Sequence, residues 1–130
     1  MTLVLDTSVL IDIETKDKGT MEKIEELRKV HYTPAAITFV NYFEFYFGAI
    51  SKNIKSKQLM LEFINKFNCL KASAKTGEIL AELKFKYDDK GLALPLADLI
   101  IASQVIENNM VLLTKDKDFE KISEVRKIVL

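Results

Sequence analysis

Leu3-Val4-Leu5-Asp6-Thr7-Ser8 sets three aliphatic residues, an acid and two hydroxyl residues in front of Val9, Leu10 and Ile13. An unbroken aliphatic run suits a strand covered on both faces of a parallel sheet, and Thr7 or Ser8 suits the N-cap of a following helix. The stretch reads as strand, then helix, with Asp6 at the strand's carboxyl end. The same order returns along the chain. Residues 32–37 form a brief strand with Pro34 at its start, Thr38 caps a helix that carries Glu44, and residues 110–114 are a continuous apolar strand closed by Lys115 and Asp116. A short helix with Phe119 and Ile122 and a last strand over 125–130 follow.

Between these units the apolar spacing is helical. Met21, Ile24, Leu27 and Val30 recur every three residues, with Glu22, Lys23, Glu25 and Glu26 on the solvated side. Leu59, Phe63 and Phe67 predict a helix over 56–67, and Ile79, Leu83 and Tyr87 one over 73–89, the two expected to pair around Leu70. Gly91 ends the second, Pro95 suits the first turn of the next, and Asp98 then lies where the helix dipole favours an anion. That helix runs on through Ile101 and Val105. Strands alternating with helices give an α/β class, with three layers α/β/α about a central, mainly parallel sheet of four to five strands. Right-handed crossovers bring the strand carboxyl ends to one edge, where ligands bind. Asp6, Glu44, Asp98 and Asp116 are therefore expected to converge.

The 130 residues, 48% hydrophobic and 29% charged, suit one domain spanning 1–130. Nineteen basic residues balance 19 acidic ones, so overall charge gives no attraction to nucleic acid, and any such contact must be local. The single Cys69 cannot form an internal disulfide, which suits the cytoplasm. No apolar run approaches the roughly 20 residues needed to cross a bilayer, and no basic leader opens the chain, so a soluble, unprocessed protein with no membrane partner is expected.

A carboxylate beside a core is costly to desolvate unless a proton, a partner or a metal offsets its charge. Four together, without histidine or thiol, suit a hard divalent cation such as Mg²⁺ or Mn²⁺, and a pair of such ions serves phosphodiester hydrolysis. Singly, each acid has an ordinary reading: Asp6 as a helix cap, Glu44 as surface, Asp98 as a dipole partner, Asp116 as a turn residue. Asn41, three before Glu44, shares its helical face and suits either a water or phosphate contact or an ordinary polar position. Lys115 and Lys117 flank Asp116, and solvated lysine is their first reading, phosphate contact their second. Lys52, Lys55 and Lys57 form a local basic patch, read either as a guide for an RNA strand or as a solubilising surface. His31 stands alone and cannot make a zinc site by itself.

The opening hydrophobic-Asp6-Thr7-Ser8, Glu44 in the helix after the second strand, Leu96-Ala97-Asp98-Leu99-Ile100-Ile101-Ala102, and Leu112-Leu113-Thr114-Lys115-Asp116-Lys117-Asp118-Phe119 together resemble a PIN domain of the VapC toxin type. The resemblance spans essentially the whole chain. It implies a metal-dependent endoribonuclease, with Asp6, Glu44 and Asp98 matching the three core acids and Thr7, Ser8 and Thr114 as polar neighbours. The fourth acid is open between Asp116 and Asp118, with Asp116 preferred because it directly follows the strand. VapC-type proteins typically dimerise and are held inactive by a small cognate VapB-type antitoxin. The helix over 39–50 carries Phe39, Tyr42, Phe43, Phe45, Tyr46 and Phe47 around most of its circumference, more than one buried face holds, so it is either deeply buried in the core or shared with a partner. Of the two, the resemblance implies the partner surface.

Two other readings compete. An aspartyl phosphotransferase or phosphoacceptor domain also gathers acids and a Thr/Lys pair at strand ends, but the first wants a second Asp two positions after Asp6, where Ser8 stands, and the second an acidic pair before its first helix, absent around Asp6. A non-catalytic interaction domain would use the aromatic helix alone and bind no metal. A nuclease acting on DNA is a variant of the first reading, since no residue identified reads a 2′-hydroxyl.

Overall fold

The computed structural model describes residues 1–52 and 56–130, so Lys55 of the basic patch lies outside the described residues. Five strands, β1 (Leu3–Leu5), β2 (Ala36–Ile37), β3 (Asn68–Cys69), β4 (Val111–Thr114) and β5 (Lys127–Val129), form one parallel sheet in the order β3-β2-β1-β4-β5. Among the described residues six α-helices surround it: α1 (Thr7–Glu14), α2 (Lys18–Leu27), α3 (Phe39–Ser51), α4 (Lys57–Ile64), α5 (Ala74–Asp89) and α6 (Leu96–Glu107). A 3₁₀ turn over Lys117–Lys121 joins β4 to the last strand.

Alternation within the aliphatic runs divides the core in two, because successive strand side chains point to opposite faces. Val4, Ala36 and Leu112 turn toward α5 and α6, where Leu83, Tyr87, Leu99, Ile101, Ala102 and Val105 are buried. Leu3, Leu5, Ile37, Val111 and Leu113 turn the other way, onto Val9, Leu10, Phe45, Ala49, Met60 and Ile64 of α1, α3 and α4. This is the expected α/β/α layering around a sheet that is parallel throughout.

Three expectations are corrected. The helices over 56–67 and 73–89 do not pair around Leu70: α4 packs on α3 and α5 on α6, across opposite faces of the sheet. Between them the chain makes the edge strand β3, whose two residues are too few to leave a periodic signal. The strand expected over 32–37 is only Ala36–Ile37, since Pro34 has no N–H for a ladder and Tyr32 stands exposed. The N-cap of α1 is Asp6 itself, not Thr7 or Ser8. Smaller shifts occur at helix ends. Pro95 is the N-cap of α6 rather than a first-turn residue, α4 stops at Ile64, short of Phe67, and Val30 lies past the end of α2. Gly91 follows α5 with φ +75°, the left-handed turn that glycine adopts without strain.

The strand order has a direct consequence for function. β1, β2 and β3 run outward one way, β4 and β5 the other, so the chain reverses direction between β1 and β4. At such a reversal the crossover helices diverge and leave a crevice outside the strand carboxyl ends.

Candidate metal centre

Asp6 ends β1 at that crevice, its N–H continuing the ladder to the Leu113 carbonyl at 2.9 Å. Its carboxylate is immobilised by three donors: Oδ1 accepts from Thr7 N–H at 2.9 Å and Asn41 Nδ2 at 3.1 Å, and Oδ2 from Thr114 Oγ1 at 2.5 Å. Asp6 is therefore both helix cap and site acid, and its capping bond leaves the Thr7 hydroxyl free. That hydroxyl donates to Glu44 Oε1 at 2.7 Å and fixes the second acid beside the first.

Asn41 is fully buried rather than turned to solvent. Its Oδ1 accepts from Thr38 N–H at 3.0 Å to close a capping box on α3, and its Nδ2 reaches Asp6 and, at 3.2 Å, Thr7 Oγ1. One amide thus ties the N-terminus of α3, and with it Glu44, to the end of β1.

Asp98 enters from the first turn of α6. Burial, then the neighbouring Asp116, Asp6, Asp118 and Glu44 charges, push its carboxyl up to about 6. The helix N-terminus favours an anion there, yet the crowd of acids outweighs it. Burial likewise raises Asp6, against the opposing hydrogen bonds from Thr114, Thr7 and Asn41. Asp116 follows β4, its N–H donating to Thr114 Oγ1 at 2.9 Å and its Oδ1 accepting from Asp118 N–H at 2.9 Å. Thr114 thus holds the acids after β1 and β4 through one hydroxyl.

Asp6, Thr7, Ser8, Glu44, Asp98, Lys115 and Asp116 line one open cleft of about 420 Å³. Asp98, Asp116 and Asp118 each offer a carboxylate oxygen within 4.8 Å of the others. Asp118 is nonetheless exposed and paired with Lys121 at 3.2 Å. Ser8 Oγ is buried at the cleft with no hydrogen-bond partner among the described residues. Oxygen donors of one sign, raised carboxyls and an orphaned hydroxyl are the surroundings a hard divalent cation satisfies, so these residues fit Mg²⁺ or Mn²⁺.

One element was not legible in sequence. Lys115, whose first reading was a solvated lysine, lies on the cleft wall and donates to Asp12 Oδ2 at 2.7 Å. Asp12 is one helical turn after Ser8 and so shares its face of α1, but no local spacing announces a partner 103 residues away. His31 has a structural place, its Nδ1 lying 2.9 Å from the Met1 carbonyl oxygen. Among the described residues no helix is long and apolar enough to cross a membrane.

No curated protein is significantly similar to this chain. Among solved structures it resembles a chain of VapBC2 from Rickettsia felis, solved bound to a promoter DNA fragment, at 27% identity and TM-score 0.84, with 100% of this chain and 99% of that one covered. It resembles in fold a chain of the DNA-bound VapBC from Salmonella typhimurium at 19% identity and TM-score 0.79, covering 99% and 98%. The same holds for VapBC-5, of the VapBC family of toxin–antitoxin systems, from Mycobacterium tuberculosis, at 24% identity and TM-score 0.74, with both chains fully covered. The PIN domain model matches residues 3–125, and with the parallel sheet and the acids at its point of reversal, the chain belongs to the PIN domain family.

Proposed function

We propose that this protein is a metal-dependent endoribonuclease and the toxin of a VapBC-type toxin–antitoxin pair acting in the cytoplasm. The observation that carries the reading is the convergence of Asp6, Glu44 and Asp98 with Asp116 on one cleft at the carboxyl edge of the sheet. Bound there, Mg²⁺ or Mn²⁺ supplies an electrophile for the scissile phosphate and lowers the pKa of water. The chain holds the cation through Asp6, Glu44, Asp98 and Asp116. Thr114, Asn41 and the Thr7 N–H keep Asp6 in place, and the Thr7 hydroxyl aims Glu44. The place of Asp116 on the cleft wall supports it as the fourth acid, with Asp118, close to Asp98 and Asp116 and paired with Lys121, in a lesser part beside it. Attack by water predicts 5′-phosphate and 3′-hydroxyl products and leaves preference for RNA to binding.

The structures this chain resembles include complexes named VapBC, which supports a VapB-type antitoxin as partner. A groove lined by Ile11, Phe45, Ala49 and Met60, together with the charged Glu14 and Lys52, suits an apolar segment of such a partner. The outer face of α3 exposes Phe39, Phe43, Phe47 and Ile50, with Phe43 and Phe47 stacked at 5.6 Å, and suits a second copy in a homodimer. Soluble monomers rarely expose a contiguous apolar patch, and an exposed aromatic strip of this kind marks an interaction site.

The test is cleavage of a mixed end-labelled RNA pool with Mg²⁺ or Mn²⁺, beside a single-stranded DNA pool and an identically purified Asp6→Asn variant. Cleavage of RNA by the parent alone is expected. Equal activity in the variant, or none in parent protein free of antitoxin, overturns the proposal, and cleavage of DNA alone changes the substrate class.

A further inference from the structure

Lys115 directly follows β4 and lines the acidic cleft, yet its ammonium is committed elsewhere. Nζ donates to Asp12 Oδ2 at 2.7 Å, and the same oxygen accepts Thr20 Oγ1 at 2.6 Å. Thr20 is buried and its N–H donates to Asp17 Oδ2 at 3.0 Å, so Asp12 is gripped from the protein side and presents its remaining capacity to the lysine. The hydrogen bonds from Lys115 and then Thr20 hold the Asp12 carboxyl below its ordinary range, and Asp12 raises the lysine in turn. Among the described residues Asp12 and, more weakly, Asp17 raise this ammonium, whereas the charges that raise Asp98 are all acidic.

Elementary electrostatics makes this arrangement unexpected. A lysine is a point charge on a flexible four-carbon stem, and this one is rooted beside Asp116 on the wall of a cleft with Asp6, Glu44 and Asp98. Left free, it would fold onto the acids as their counter-ion, and a divalent cation would then have to displace it.

We infer that Asp12 is a positioning residue that holds the Lys115 ammonium at the rim of the cleft, away from the four acids, so that the site stays open to a divalent cation. Asp12 touches neither metal nor substrate and acts through Lys115. The inference rests on the metal-site reading above and deepens it.

Mn²⁺ titration calorimetry on the whole protein tests it, using the parent, Asp12→Asn, Lys115→Met and the double variant, each confirmed to melt as one folded species. The amide keeps an acceptor for Thr20 while weakening the hold on the ammonium. Asp12→Asn is expected to bind Mn²⁺ about tenfold more weakly, within the range of couplings between contacting residues. Lys115→Met should change affinity little in the parent and recover most of the loss when added to Asp12→Asn. Equal effects of Lys115→Met in both backgrounds would mean simple charge addition and would overturn the inference, as would undiminished affinity in Asp12→Asn. Should the amide disturb α1, Asp12→Ser carries the same cycle. Mn²⁺ binding without coupling sinks this inference alone, whereas no Mn²⁺ binding by the parent sinks it together with the metal-site reading.

Discussion

Glu124, in the loop before β5, accepts from Lys86 Nζ and Tyr87 Oη, each at 2.5 Å, whereas the charges that act on Asp98, at the start of α6, are among the described residues all acidic. Burial alone would raise both. For Glu124 the lysine and the phenol win and hold its carboxyl down at about 2, and for Asp98 the surrounding charges add to burial and carry it to about 6. Two carboxylates of one fold are thus moved in opposite directions, one by partners the chain supplies and one by the lack of them. The first contributes to stability, and the second lowers it in return for a cation site.

The sharpest way to break this contrast is Asp98→Asn. Cleavage of labelled RNA should fall by about 10²–10³-fold, the size seen when one electrostatic group leaves a reacting centre. The metal-free variant should nonetheless melt higher than the parent at neutral pH, because the amide carries no charge for its neighbours to repel. A variant both inactive and less stable would place Asp98 with Glu124, as a structural acid.

Thr114→Val comes next. Its shape is kept, but Asp6 Oδ2 and Asp116 N–H lose their shared partner inside the protein, at a cost of about 2 kcal/mol in denaturant unfolding. Mn²⁺ affinity should fall with it. A loss of stability without a loss of affinity would detach Thr114 from the site.

Glu124→Gln should cost about 1 kcal/mol, since the pair with Lys86 is partly solvated, and leave RNA cleavage unchanged. The stability it removes is present above pH about 4.5 and is lost as pH falls toward 2, because the folded carboxyl lies below its ordinary value. The variant's deficit should therefore shrink in acid.

Asp98 has the reverse sign and an effect no larger than that of Glu124. Its folded carboxyl lies above the ordinary value of 3.8, so its contribution is full below that pH and is lost as pH rises through about 6. After allowance for solvent screening this is about 1 kcal/mol, or a few degrees in melting temperature, between pH 5 and 7 without metal. Added Mn²⁺ should reverse the loss at pH 7 but not at pH 5, where the proton competes. Equal stabilisation at both values would separate the ion from Asp98.

Legibility followed the range of the interactions. The strands at Leu3–Leu5 and Val111–Thr114, the helices that carry Glu44 and Asp98, and the acids themselves were readable because each leaves a local trace of spacing, capping or an apolar run. The edge strand Asn68–Cys69 left none, and two helices read as partners proved to lie on opposite faces of the sheet, since nothing in amphipathic spacing says which face a helix covers. The part Asn41 plays stayed open between a water or phosphate contact and an ordinary polar position for a similar reason: helical periodicity places it beside Glu44 but cannot foretell that the end of β1 lies against it.

The residues alone determined that the chain alternates strands with helices and that acids stand after the strands and near helix starts, because backbone propensity, capping and burial periodicity act over a few neighbouring positions. The tertiary structure alone decided that Thr7 aims Glu44, that one Thr114 hydroxyl serves both Asp6 and Asp116, and that Lys115 is held by Asp12 across 103 residues of chain. Those pairings depend on the register of β1 with β4 and on the face of the sheet each helix covers, which are set by packing the whole core at once.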